Sequence, residues 1–149
     1  MNNPPVTVLM SVYNGARYLG EAIDSILGQT YRDFEFLIID DGSTDDSIDI
    51  INGYHDPRIR LQQHPNRGLA ESLRQGVIDA RGDIIVRADQ DDVSHYRRVE
   101  EQVAYLDQRD SIGLVRTLLE IINANGTTIS ECTGETSLVT SAPRWWFLW

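Results

Sequence analysis

Apolar residues fall along the chain in two alternating rhythms. Short β-branched runs at Val6–Val12, Phe34–Ile39, Ile59–Gln62 and from Ile84-Ile85-Val86 onward read as strands of a buried sheet. Between them, apolar positions recur every three or four residues. Tyr18-Leu19, Ala22-Ile23 and Ile26-Leu27 mark a helix over Ala16–Gln29. Leu69, Leu73 and Val77 mark one over Leu69–Ala80, and Val99, Val103 and Leu106 one from about His95 to Gln108. Thr44 is placed to cap a further helix carrying Ile48, Ile50 and Ile51. Ile112–Val115 and Leu118–Ile122 read as later strands, followed by a hairpin-type Asn125-Gly126.

Strands alternating with helices of this length predict an α/β fold, a mainly parallel sheet with helices on both faces. Such sheets bind ligands beyond the carboxyl ends of their strands. Three predicted strands end in polar residues at that edge: Ser11-Val12-Tyr13-Asn14, Asp40-Asp41-Gly42-Ser43 and Asp89-Gln90-Asp91-Asp92. Their side chains are expected to converge.

Composition narrows the chemistry. A chain of 149 residues is sized for a single domain. With 23 acidic against 13 basic residues it carries a formal charge of -10, which argues against a nucleic-acid partner. Every basic residue is Arg, so a Gly-Lys-Ser/Thr phosphate loop and a Schiff-base lysine are excluded. Cys132 stands alone, without a disulfide partner or a multi-cysteine zinc site. Met1–Pro5 lacks the basic and apolar regions of a signal peptide, and no apolar run approaches the roughly 20 residues of a membrane span. The expected location is the cytoplasm, at or away from the membrane face.

Each polar segment admits two readings when taken alone. Three carboxylates in Asp89-Gln90-Asp91-Asp92 repel one another unless solvent or a cation relieves them, so the segment is either a hard-metal site or a solvated acidic loop. Asp40-Asp41-Gly42-Ser43 is either a turn and helix cap or an acceptor for a ribose or pyrimidine. Tyr13 either stacks on a base or plugs the sheet edge. Arg67, in Asn66-Arg67-Gly68, is either a ligand-facing guanidinium or a solvated loop side chain.

In combination the segments are more specific. The stretches VLMSVYNGARYLGEAIDSILGQTYRDFEFLIIDDGSTDDS and ARGDIIVRADQDD resemble the family 2 glycosyltransferases. The likeness runs from about residue 6 to 115, leaving 116–149 as a truncated or divergent end. It implies a Rossmann-like GT-A nucleotide-diphospho-sugar transferase fold, here incomplete at its C-terminal side. By position it implies nucleotide-sugar contacts from Ser11, Tyr13, Asp41, Arg67 and Asp89, and Mg²⁺ or Mn²⁺ held by Asp89 and Asp91 with Asp92 competing. The implied reaction moves a sugar from a metal-bound nucleoside diphosphate, UDP favoured, to an acceptor hydroxyl with inversion. The acceptor would be a glycan or lipid-linked saccharide, in cell-surface polysaccharide assembly.

The pattern departs from the family in two places. Where a Pro-x-Arg commonly opens the helix after the acidic motif, this chain has Tyr96-Arg97-Arg98, which puts positive charge at a helix start, where it could hold an anion. The catalytic base of the family lies well beyond the acidic motif, and no counterpart is recognised here. Instead the chain ends in Arg144-Trp145-Trp146-Phe147-Leu148-Trp149. So aromatic an end suggests a fragment whose cover is elsewhere, or a protein- or membrane-surface contact. An inactive domain that binds nucleotide or a protein partner is the alternative function.

Overall fold

The computed structural model describes residues 4–109, 111–117, 119–123, 127–132, 139–140 and 146–148. Its element order is β1 Val6–Val12, α1 Ala16–Leu27, β2 Phe34–Asp40, α2 Ser47–Asn52, β3 Ile59–Gln63, α3 Leu69–Asp79, β4 Ile84–Asp89 and α4 Arg98–Asp107. There follow β5 Ile112–Val115, β6 Leu119–Ile122, β7 Thr128–Cys132, β8 Val139–Thr140 and β9 Trp146–Leu148. The main sheet runs β3-β2-β1-β4-β9-β5-β8, with β6 and β7 as a separate pair. Every pairing in the main sheet is parallel except β5 with β8. The mainly parallel α/β sheet read from the sequence is present. No helix among the described residues is long and apolar enough to cross a membrane.

Alternation along each strand sends side chains to two different cores. Val6, Val8, Met10 and Val12 of β1 join Phe36 and Ile38 of β2 against Leu19, Ile23 and Ile26 of α1 and Val99 and Val103 of α4. The intervening Leu9, Leu37, Ile39 and Ile85 form a second, smaller core with Leu73 and Val77 of α3. Helices therefore cover both faces. The face under α3 matters for function: beyond its apolar stretch, the same alternation continues into Ser11, Asp41, Arg87 and Asp89. Ser11 is in register with Asp89, and Leu9 with Arg87.

The structure corrects three local readings. Thr44 does not cap α2, which begins at Ser47 after Asp46. Instead the Thr44 N–H donates to Asn14 Oδ1 at 2.8 Å, a tertiary contact that a segment rich in Asp, Ser and Thr does not announce. Helix α4 begins at Arg98 rather than near His95. The backbone oxygen of His95 accepts Gln29 Nε2 at 2.9 Å, and Gln29 Oε1 accepts the Val99 N–H at 3.0 Å, so buried Gln29 sets the start of that helix. Finally, residues 146–148 pair on both sides, between β4 and β5. Part of the aromatic end is thus a sheet strand, while Trp145, Trp149 and the Asn125-Gly126 turn lie outside the described residues.

Candidate functional site

The loop between β1 and α1 is pinned by side chains from elsewhere in the chain. Gln90 Oε1 accepts the Tyr13 N–H at 2.8 Å, and Ser43 Oγ accepts that of Asn14 at 3.0 Å. Ser47 Oγ accepts the Gly15 N–H and Asp45 the Ala16 N–H, each at 3.0 Å. Asn14 holds a positive φ of 50°, a conformation that asparagine tolerates better than most residues. The N-terminus of α1, in principle open to an anion, is therefore already satisfied by protein groups.

Asp41 extends β2 by one residue and is buried. Its two carboxylate oxygens accept the backbone N–H groups of Arg67 at 2.7 Å and Gly68 at 2.8 Å. His64 Nδ1 lies 3.2 Å from Asp41 Oδ1. Gly68 takes φ 86° and ψ 156°, a region essentially restricted to glycine, and this turns its N–H onto the carboxylate. Oδ1 is thus approached by two groups, whereas Oδ2, which accepts the Gly68 N–H, keeps a further lone pair for a ligand.

On β4, Arg87 and Asp89 are two residues apart and so share a face. Arg87 Nε lies 2.9 Å from Asp89 Oδ1 and Nη2 lies 3.0 Å from Oδ2, a two-point ion pair. Arg98 Nη2 donates to the Arg87 carbonyl at 2.7 Å and Nη1 to Ser94 Oγ at 3.0 Å. Burial pushes the Arg98 pKa down, while the carboxylates of Asp92 and Asp89 oppose that shift. Arg98 is therefore engaged in holding the strand end, and Arg97 pairs with Glu100 and Glu101.

These elements enclose an open cavity of about 540 Å³, lined by Ser11, Tyr13, Asp41, Asn66, Gly68, Leu69, Arg87, Asp89, Gln90 and Asp91. Five of the sequence-predicted residues meet there: Ser11, Tyr13, Asp41, Asp89 and Asp91. Two do not line it. Arg67 contributes its backbone N–H to Asp41, and its side chain is exposed. Asp92 is an exposed residue whose pKa is raised from 3.8, first by the desolvation its neighbours impose and then by the charges of Asp89 and Asp91, against Arg98 and Arg87. Arg87, Gln90 and Leu69 were missed. For Arg87 a signal existed, since strand alternation already put it beside Asp89.

The donor set suits a metal only in company. Among the described residues, no group of three or more His, Cys, Asp or Glu side chains is gathered to hold an ion by itself. Magnesium-type ions commonly take one or two carboxylates and complete their shell with phosphates and water. Asp91 and Asp89 at the cavity wall fit that pattern, provided a phosphate ligand is present.

Known proteins resemble this chain throughout the region that builds the cavity. The family described as Glycosyl transferase family 2 matches residues 7–133. EpsE of Bacillus subtilis (strain 168), which bears a glycosyltransferase name, is 40% identical over 129 residues, covering 84% of this chain and 46% of the relative. A protein of Haemophilus influenzae named as an uncharacterized glycosyltransferase is 40% identical over 111 residues, covering 72% of this chain and 44% of the relative. The chain thus spans less than half the length of these relatives. Among solved structures, S. aureus TarS in complex with UDP-GlcNAc matches with a TM-score of 0.73 at 23% identity, over 84% of this chain and 36% of that one. The mannosyltransferase PcManGT from Pyrobaculum calidifontis, in complex with GDP-Man and Mn²⁺, matches with a TM-score of 0.69 at 25% identity, over 79% and 36%.

Proposed function

The chain belongs to glycosyl transferase family 2 and has the α/β GT-A fold, and from that premise we propose that its cavity binds the donor, a nucleoside diphosphate sugar. The observation that carries this reading is the convergence of Ser11, Tyr13, Asp41, Asp89 and Asp91 on one cavity at the carboxyl edge of the sheet. The GDP-Man and Mn²⁺ bound by PcManGT support a donor of this class with a divalent cation.

Each wall then has a task. The ring of Tyr13, 47% exposed, and the side chain of Leu69, 52% exposed, offer apolar surface to a base. Asp41 offers an acceptor suited to the imide N–H of uracil or to a ribose hydroxyl, which is the ground for preferring UDP. Asp91 and Asp89 would hold Mg²⁺ or Mn²⁺ against the diphosphate. A bound cation there supplies neutralisation of the charge that develops on the leaving phosphate oxygen. The acceptor hydroxyl attacks the anomeric carbon from the side opposite the diphosphate, forming the new glycosidic bond with inversion as the nucleoside diphosphate leaves. The acceptor, a glycan or lipid-linked saccharide, gives up its proton to a base that we do not assign to any residue of this chain.

Thermal unfolding with added nucleotide tests the reading. UDP with Mn²⁺ raises Tm, whereas UMP or Mn²⁺ alone raises it much less, because ligand bound only to the folded state stabilises it. A folded protein whose Tm ignores UDP, GDP and their sugar conjugates with Mn²⁺ would rule the donor site out.

A further inference from the structure

Asp89 is the carboxylate at the end of β4, yet both of its oxygens face the Arg87 guanidinium, at 2.9 and 3.0 Å. The pair is not a loose surface contact: Arg87 is 16% exposed and Asp89 38%, and both line the donor cavity. The β4 backbone beneath them is fixed, because the Arg87 carbonyl accepts Arg98 Nη2 and Asp89 lies in register with Ser11. An Arg fork bound at two points matches a carboxylate in geometry as well as charge. A divalent cation approaching Asp89 must displace that fork or share its oxygens with it, beside a positive charge.

We propose that Arg87 is a positioning residue that latches Asp89 and makes cation binding conditional on the nucleotide diphosphate. Without nucleotide, the guanidinium occupies the oxygens that a cation would take, so that of Asp89 and Asp91, the two carboxylates at the end of β4 that line the cavity, the first is engaged by the fork. A diphosphate supplies a competing planar-fork partner for Arg87 and extra oxygen ligands for the ion. Arg87 then turns to the phosphate, Asp89 is released to the cation, and the two ligands enter together. This proposal rests on the donor-site reading and adds an order to it: the cation alone is discriminated against.

Mn²⁺ binding to the full chain, read by the electron paramagnetic resonance signal of the free ion, tests the latch without any turnover. Wild type holds Mn²⁺ weakly alone and much more tightly with UDP. Arg87→Gln holds Mn²⁺ alone at least about tenfold more tightly than wild type, and UDP then tightens it by a smaller factor. Arg87→Lys keeps the charge but cannot pair at two points, so it falls between the two; an effect of charge alone would leave it at the wild-type value. Far-UV circular dichroism confirms the fold of each variant, and Arg87→Lys decides the matter should Arg87→Gln unfold. Variants that hold Mn²⁺ alone no better than wild type overturn the latch. If UDP fails to tighten Mn²⁺ in wild type while both variants gain affinity for Mn²⁺ alone, Arg87 competes with the cation at Asp89, but the coupling to a diphosphate is overturned and the donor-site reading falls with it.

Discussion

Asp41, at the end of β2, accepts the backbone N–H of Gly68 at 2.8 Å, and this contact ties the strand to the loop that leads into α3. A carboxylate placed to serve a ligand is therefore also a structural anchor. Asp41→Asn turns an NH₂ group towards the N–H of Arg67 or Gly68 and leaves a buried donor unmet. The expected cost is about 1–3 kcal/mol in urea unfolding. Nucleotide affinity falls in the same variant, measured under conditions where it remains folded.

Gly42 holds the neighbouring turn at φ 78°. A Cβ at this position would lie 2.8 Å from the Asn66 backbone nitrogen, too close for either chain to stay in place. Gly42→Ala pays the left-handed conformation, about 1–2 kcal/mol, and the clash in addition. Chemical denaturation should give a loss above about 1.5 kcal/mol, with nucleotide binding weakened because residues 66–68 move away from Asp41.

At the opposite edge of the sheet, Glu35 is 5% exposed and accepts hydrogen bonds from Thr7 Oγ1 at 2.7 Å and Arg60 Nε at 3.1 Å. Burial pushes its carboxyl up from the ordinary 4.5, but hydrogen bonds from Arg60, Thr7 and the Arg81 N–H together outweigh burial and hold it lower. With a folded pKa below the unfolded one, its stabilisation is complete above pH 4.5 and drains away as pH falls through the lower value. Glu35→Gln should cost about 1–3 kcal/mol at pH 7. The gap to wild type should narrow as pH falls below 4.5 in denaturant titrations.

Asp92 has the opposite sign. Its pKa is raised, so its ionised form at neutral pH weakens the fold, and neutralising it removes that penalty. Because the residue is exposed, Asp92→Asn should stabilise by no more than about 0.5 kcal/mol at pH 7, with no gain well below pH 3.8. It should leave Mn²⁺-dependent UDP binding within about threefold of wild type, whereas Asp91→Asn abolishes it. Calorimetry on both variants separates the two carboxylates.

The sheet was readable from sequence because its two faces are both buried and its helices are amphipathic; β1 and β5 match their expected limits. The meeting of Ser11, Tyr13, Asp41, Asp89 and Asp91 followed from one rule, that strand ends at the carboxyl edge converge. What escaped the sequence depends on contacts between distant segments. Thr44 is a good cap by residue type, but Asn14 claims its N–H and α2 begins at Ser47 instead. For Arg67 the sequence left a ligand-facing guanidinium and a solvated side chain open, and did not show that its backbone N–H is the group at Asp41. The insertion of residues 146–148 between β4 and β5 requires pairing across the whole chain, which local pattern does not encode. Arg87 was within reach of the rule that places residues two apart on one face of a strand, yet the carboxylates drew the reading first.

Calorimetric titration of the full chain with UDP, with and without Mn²⁺, tests the central claim most directly, in wild type and in the double variant Asp89→Ala/Asp91→Ala. The donor-site account predicts binding in wild type that strengthens with Mn²⁺, and no Mn²⁺-dependent binding in the variant. UDP binding that is indifferent to both the cation and the two carboxylates, in folded protein, would contradict it.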